Sequence, residues 1–295
     1  MMPHQLNWQE ICQMIPKRKA DAQKGDFGRL LCITGSRNMP GACLLSTQAA
    51  LRGGAGLVTV ATAPENPMRL AAAAPEAMWL PLETDEAGFL RSSDQNRKTL
   101  EKQLSCANAV LLGCGLGVTE ETRRLVHWVL EQAVCPVVLD ADGLNCAVSC
   151  IELSRRTGKD WILTPHPGEM ARLTGRSIPQ IQKNRVETAT QFAAAYPVTL
   201  ALKGAGTLVA QGSRLAQNPT GNPGMSRGGS GDVLAGLIAA FAAQGIPSWE
   251  AACAGVYLHG LAGDAAAAAL SQQAMLPRDL LVYLPQVLVK LEQER

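Results

Sequence analysis

Along the chain, short apolar runs alternate with longer stretches in which apolar residues recur every third or fourth position. Seven runs read as strands: residues 30–34, 57–61, 109–112, 137–140, 161–164, 199–203 and 207–210. Most are continuously apolar, the pattern of strands covered on both faces. Between them, residues 42–52, 120–132 and 186–195 read as helices. This alternation predicts βαβ units and a mostly parallel sheet with helices on both sides. From Gly231 onward no strand pattern occurs, and the rest reads as stacked helices. Residues 83–103, polar and acidic at first, read as a surface excursion. No internal repeat or linker interrupts the pattern, so residues 1–295 are expected to form one domain.

Composition adds limits to this picture. At 47% hydrophobic and 18% charged residues, the chain can bury a large core and is not a disordered polymer. Aromatics make up only 4%; alanine carries much of the apolar content and favours close helix–sheet packing. A net charge of +2, from 27 basic and 25 acidic residues, lacks the footprint of a nucleic-acid binder. The longest apolar stretches, 233–243 and 265–270, fall short of the roughly 18–20 residues of a membrane span. The N-terminus lacks a basic region followed by an apolar run, so no secretory signal is expected. Nine cysteines, scattered and without a Cys-x-x-Cys pair, read as small buried hydrophobes in a reducing cytoplasm.

The polar and glycine-rich signals cluster just after the strands. Thr34-Gly35-Ser36 follows the first, Gly113-Cys114-Gly115-Leu116-Gly117 the third, and Asp140-Ala141-Asp142-Gly143 the fourth. Thr164-Pro165-His166-Pro167-Gly168-Glu169 follows the fifth and Lys203-Gly204-Ala205-Gly206-Thr207 the sixth. Ligands of an open parallel sheet bind outside the carboxyl ends of its strands, and five signals converge there. The strongest is Ser226-Arg227-Gly228-Gly229-Ser230-Gly231-Asp232, running straight into an apolar helix. Free N–H groups at a helix N-terminus bind anions, and glycines let phosphate oxygens approach. Asp232 would stand beside such an anion as a base; the competing reading is a plain N-cap. His166, wedged between prolines, is a candidate ligand contact or a structural turn. His259, in an apolar helix, reads as a core histidine. Asp140 and Asp142 could bind a cation or cap a helix. Gly113–Gly117 misses the dinucleotide spacing, and Gly158-Lys159 is followed by Asp160, which excludes a P-loop.

Taken in order, these segments resemble the ADP/ATP-dependent NAD(P)H-hydrate dehydratases. The matching stretches are Lys24-Gly25-Asp26-Phe27-Gly28, Pro40-Gly41-Ala42, 50–58, Asp140-Ala141-Asp142, 164–169, 203–207 and 219–234. Cys114 replaces a usual proline, Thr34 stands where glycine or alanine is common, and Arg227 occupies a variable position. The resemblance implies a ribokinase-like three-layer α/β/α sandwich. It also implies ADP-dependent dehydration of the S-epimer of hydrated NADH or NADPH (NADHX, NADPHX) to NAD(P)H, giving AMP and phosphate, with ADP or ATP as donor. In it Asp232 is the catalytic base and a substrate contact; Ala42, Gly115 and His166 contact the hydrate. Lys203, Gly204, Ala205, Gly206, Thr207, Gly228, Gly229, Ser230 and Gly231 bind the nucleotide. Glu169 would hold Mg²⁺ indirectly, through water. A cytoplasmic homotetramer is implied, working beside a separate epimerase, because too few residues precede Lys24 for an epimerase fold. The alternative is a ribokinase-like kinase of a vitamin-precursor alcohol, which shares the glycine-rich anion site.

Overall fold

The computed structural model describes residues 2–157 and 160–294. Gly158 and Lys159, where the P-loop pattern fails, lie outside the described residues. Ten strands form one sheet among the described residues. They are β1 (His4–Gln5), β2 (Arg29–Ile33), β3 (Leu57–Thr62), β4 (Met78–Pro81), β5 (Ala109–Leu112), β6 (Val137–Leu139), β7 (Trp161–Leu163), β8 (Val198–Leu202), β9 (Leu208–Gln211) and β10 (Arg214–Gln217). Their order is β1-β10-β9-β8-β7-β6-β5-β2-β3-β4. Only the pairings of β9, with β8 and with β10, are antiparallel. The sequence pattern located seven of these strands to within one residue at each end. It missed β1, β4 and β10, which lie at or next to the sheet edges and are partly exposed. β1 and β10 carry no continuous apolar run; β4 does, in Met78-Trp79-Leu80-Pro81, and was passed over.

Successive side chains leave a strand on opposite faces. Leu30, Cys32, Val58, Val60 and Leu111 enter one core, beneath the helices Ser230–Ala243 and Ser248–Leu270. Leu31, Ile33, Val110, Leu112 and Trp161 enter the other, beneath Glu120–Gln132 and Arg185–Ala195. The result is a three-layer α/β/α sandwich, and the chain after Gly231 is indeed helical among the described residues. No helix of the described residues is long and apolar enough to cross a membrane.

The helix Ser230–Ala243 matters most for the site. Twelve of its fourteen residues are buried, as expected of a helix that is apolar all round. It lies tightly against Pro40–Arg52: a Cβ added to Gly236 would meet the Ser46 carbonyl oxygen at 2.2 Å. Such packing fixes the axis of the helix, and so fixes where its first turn points.

Residues 83–103 run over the surface as expected, but they are ordered into a bridge and a helix. A bridge joins Thr84 to Leu90, and the helix Asp94–Leu104 buries Leu100 and Leu104 in the second core. Buried Asn96 organises the segment: its Oδ1 accepts the Glu83 N–H, and its Nδ2 donates to the Glu83 and Arg91 carbonyls. One amide thus does what an apolar staple would do, and leaves no hydrophobic signature. Cys32, Cys43, Cys114, Cys146 and Cys253 are buried as expected, whereas Cys106 is exposed.

Candidate active site

The carboxyl ends of β6, β7 and β8 open into a cleft of about 870 Å³. Its walls include Asp140, His166, Glu169, residues 203–207, residues 218–223 and residues 225–232. Each strand delivers one polar group just past its last residue. After β6 comes Asp140, whose Oδ1 accepts from Thr164 Oγ1 at 2.7 Å and from Lys203 Nζ at 2.6 Å. After β8 comes Lys203, itself positioned by the N–H bond to the Pro165 carbonyl at 2.9 Å. Arg185 holds the same strand end, donating to the Leu202 and Lys203 carbonyls, each at 3.0 Å. Burial opposes a charge on Lys203, but Asp140 and Glu169 outweigh it and hold the ammonium above its ordinary range.

After β7 comes the His166 turn. His166 caps the helix Pro167–Thr174: its Nδ1 accepts from the Gly168 N–H at 2.9 Å and the Glu169 N–H at 3.3 Å. Glu169 reciprocates, with Oε2 accepting the His166 N–H at 2.7 Å, which completes a capping box. Burial and Lys203 lower the His166 pKa, in keeping with a neutral ring that accepts at Nδ1. The turn role weighed in the sequence is therefore realised, while the ring stays half exposed at the cleft.

Across the cleft stands the first turn of Ser230–Ala243. No side chain caps this helix, so its leading N–H groups face the cleft for a ligand to use. A Cβ built on Gly231 would lie 3.3 Å from Lys203 Nζ and 3.7 Å from Asp140 Oδ2. The dipole end and the lysine thus converge on one small volume, an arrangement that selects an anion. Asp232 lies in that turn, and burial, reinforced by Asp140, pushes its pKa up to about 6. Sulfur of Cys114 and one oxygen each of Asp140 and Asp232 all lie within 4.8 Å of one another. Burial and the Asp232 charge keep the Cys114 thiol protonated, far above its usual range.

Of the remaining expected residues, 203–207 and 228–231 all line the cleft. Ala42 and Gly115 do not. They face each other beside it: a Cβ on Gly115 would meet that of Ala42 at 2.9 Å, and Ser36 N–H donates to the Gly115 carbonyl at 2.7 Å. Asp232 lines the cleft, and its charge reaches Cys43, next to Ala42. Each of the two aspartates left open in the sequence has a partner here. Asp140 pairs with Lys203, and Asp142 Oδ2 accepts the Gly117 N–H at 2.8 Å, tying down the glycine loop.

Two residues, Ala141 and His259, were not legible as site elements. Ala141, lining the cleft, adopts φ 51°, a strained value for a residue with a side chain. His259 is buried but also lines the cleft, donating from Nε2 to the Ser230 carbonyl at 3.0 Å. Burial lowers its pKa to about 4, so it remains neutral. Ser230 Oγ is buried with no partner at the same turn. For a divalent cation, Glu169 offers little directly. Its Oε2 accepts a backbone N–H, and its Oε1 lies 3.3 Å from His166 Nε2. Both carboxylate oxygens are thus already engaged within the protein.

Sheet order and cleft together define the class: this is a ribokinase-like α/β protein with its cleft at the carboxyl ends of the strands. A family model described as NAD(P)H-hydrate dehydratase matches residues 30–286, and the chain belongs to that family. It is 43% identical over 281 residues to a bifunctional NAD(P)H-hydrate repair enzyme of Moorella thermoacetica, covering 95% of this chain and 53% of that protein. It is 36% identical over 269 residues to an ADP-dependent (S)-NAD(P)H-hydrate dehydratase of Xanthomonas campestris, covering 91% and 90%. The crystal structure of a Bacillus subtilis ADP/ATP-dependent NAD(P)H-hydrate dehydratase, co-crystallized with ATP/Mg²⁺, superposes with a TM-score of 0.84 at 31% identity, covering 99% and 100%. The chain spans about half the length of the bifunctional relatives it matches.

Proposed function

We propose that the chain is an ADP-dependent (S)-NAD(P)H-hydrate dehydratase, a carbon–oxygen lyase that returns hydrated NADH or NADPH to its reduced form. The observation that carries this reading is the convergence of Asp232, Lys203 and an uncapped helix N-terminus on one volume of the cleft. In this reading the ADP phosphates lie over residues 228–231, residues 203–207 hold the adenylate part, and Ala42, Gly115 and His166 hold the hydrate.

The hydrate carries a hydroxyl on a ring carbon, and hydroxide is a poor leaving group. Asp232 accepts the hydroxyl proton as that oxygen attacks the terminal phosphorus of ADP, and the bond from phosphorus to the AMP oxygen breaks. Lys203 and the N–H groups of residues 228–231 hold the charge on the transferring phosphoryl group, where fixed donors do most of the catalytic work. Phosphate then leaves the ring carbon, the neighbouring carbon gives up a proton, and the ring double bond returns. A bound Mg²⁺ would supply charge neutralisation on the phosphates, with Glu169 reaching it through water. A buried aspartate with a pKa near 6 suits a base working near neutral pH. The resemblance also supports the whole chain acting as one dehydratase domain within a cytoplasmic homotetramer, which light scattering of the purified protein would test.

The decisive experiment mixes protein, hydrate and ADP and follows the absorbance of reduced nicotinamide together with free phosphate. Return of the band with equal phosphate and AMP is the expected result. Accumulation of a stable phosphorylated hydrate would replace the dehydratase with a kinase.

A further inference from the structure

One face of the helix Ser248–Leu270 meets the loop that carries the glycine-rich turn. His259, Gly260, Gly263 and Asp264 form a stripe on that face, as residues three to five apart do on a helix. At one end His259 holds the Ser230 carbonyl. In the middle, Gly260 admits Thr220 of the loop: a Cβ there would lie 2.0 Å from Thr220 Oγ1 and 2.8 Å from its carbonyl carbon. At the other end Asp264 receives two donors from the loop. Its Oδ2 accepts the Gly221 N–H and its Oδ1 accepts Asn222 Nδ2, both at 2.9 Å. Asn222 uses its other amide atom on the following turn, with Oδ1 accepting the Gly224 N–H at 3.0 Å. Asp264 does not itself line the cleft, whereas Gly221, Asn222 and the residues they lead into do.

We propose that Asp264 is a positioning residue for the nucleotide, acting through Asn222 on the turn that presents the N–H groups of residues 228–231. The inference rests on the reading of the cleft as the nucleotide site. Its physical basis is the polarity of the pair. An ionised carboxylate only accepts, so it can satisfy both Gly221 and Asn222. The amide of Asn222 must then point its NH₂ towards Asp264, which leaves its oxygen aimed at Gly224. One orientation meets all three bonds, and the loop is held between this anchor and the His259 bond. An anchor at only one end would let the intervening residues spread their donors, and an anion site depends on donors converging before the ligand arrives.

The polarity allows a reciprocal exchange. Asn222→Asp alone sets two carboxylates face to face. Asp264→Asn alone sets two NH₂ groups face to face, or turns one of the amides against a backbone N–H. Made together, the new amide at 264 accepts from Gly221 and donates to the new carboxylate at 222, which still accepts from Gly224. All three bonds are restored with the residues exchanged. Calorimetric ADP affinity, hydrate KM and melting temperature are measured on the parent, both single variants and the double variant. Each single substitution is expected to weaken ADP about tenfold, the loss of one hydrogen bond to a charged group. Hydrate KM should stay within about twofold, because its expected contacts lie on other strand ends. The double variant should recover ADP affinity to within about threefold of the parent. Should either single variant not fold, the other with the double variant makes the same comparison. Rescue of melting temperature without rescue of ADP affinity would reduce Asp264 to a structural anchor and overturn the proposal, as would unaltered ADP affinity in the single variants. A parent protein that fails to bind ADP would instead remove the nucleotide reading of the cleft, and this inference with it.

Discussion

Asp232 carries a cost that its proposed role as a base explains. Burial raises its pKa from an ordinary 3.8 to about 6, so the native state holds a proton that the unfolded chain has already lost between those values. Stability contributed by this site therefore falls as pH rises from about 4 to about 6 and stays lower above that range. Asp232→Asn is expected to abolish turnover, with a loss of about 10²–10⁴ in rate for a missing general base. It should leave ADP affinity within a few-fold and raise the melting temperature at pH 7–8, with the gain vanishing near pH 4. A variant retaining more than half the activity would remove Asp232 as the base. His166 has two duties that one substitution cannot separate but two can. Alanine removes the cap on Pro167–Thr174 and should cost about 1 kcal/mol of stability, whereas asparagine retains a capping oxygen. His166→Asn should therefore keep the melting temperature while raising hydrate KM about tenfold, the signature of one lost bond. An unchanged KM in that stable variant would confine His166 to the turn.

At the scale of elements, the site is a meeting of strand ends with one buried helix. The strands β6, β7 and β8 each supply one group, and the helix Ser230–Ala243 supplies N–H groups along an axis set by its packing on Pro40–Arg52. Gly231 keeps the space between that helix and Lys203 open. Gly231→Val should reduce ADP affinity on the order of a hundredfold, since a β-branched side chain would occupy the anion volume. The fold should survive, because a Cβ there meets only the lysine tip and a carboxylate oxygen at 3.3 and 3.7 Å. Calorimetry beside a melting curve checks both halves. Undiminished affinity in the folded variant would place the phosphates elsewhere.

At the scale of the whole molecule, the sheet buries both faces and leaves its open groups at one edge, so ligand binding and folding are linked. ADP at a hundred times its dissociation constant should stabilise the protein by about 2.7 kcal/mol, a rise in melting temperature on the order of 5 °C. Gly231→Val should lose most of that rise, and Asp232→Asn should keep it. Thermal melts with and without ADP on the three proteins test this together. An equal rise in all three would mean that ADP binds outside the cleft.

The amino-acid pattern by itself determined the central strands, the helical end of the chain and the edge at which the chemistry collects. Those strands are covered on both faces, so they must be apolar throughout, and the loops after them must be polar where they turn into the cleft. It marked the glycine-rich turn ahead of an apolar helix as a candidate anion site, with a plain N-cap as the competing reading, and the structure shows that no side chain caps that helix. Strands β1 and β10 stayed hidden because a partly exposed strand needs no continuous apolar run, and the helix Asp94–Leu104 because Asn96 holds its segment together with hydrogen bonds. Only the tertiary structure decided that Asp140 belongs to Lys203, sixty-three residues away, and that Asp142 serves the glycine loop. Only it brought His259 to Ser230 and Asp264 to Asn222, across 29 and 42 residues. Local sequence can specify a hydrogen-bonding group and the turn that carries it. The partner of that group is chosen by how strands are ordered and helices packed, and no spacing along the chain encodes that choice.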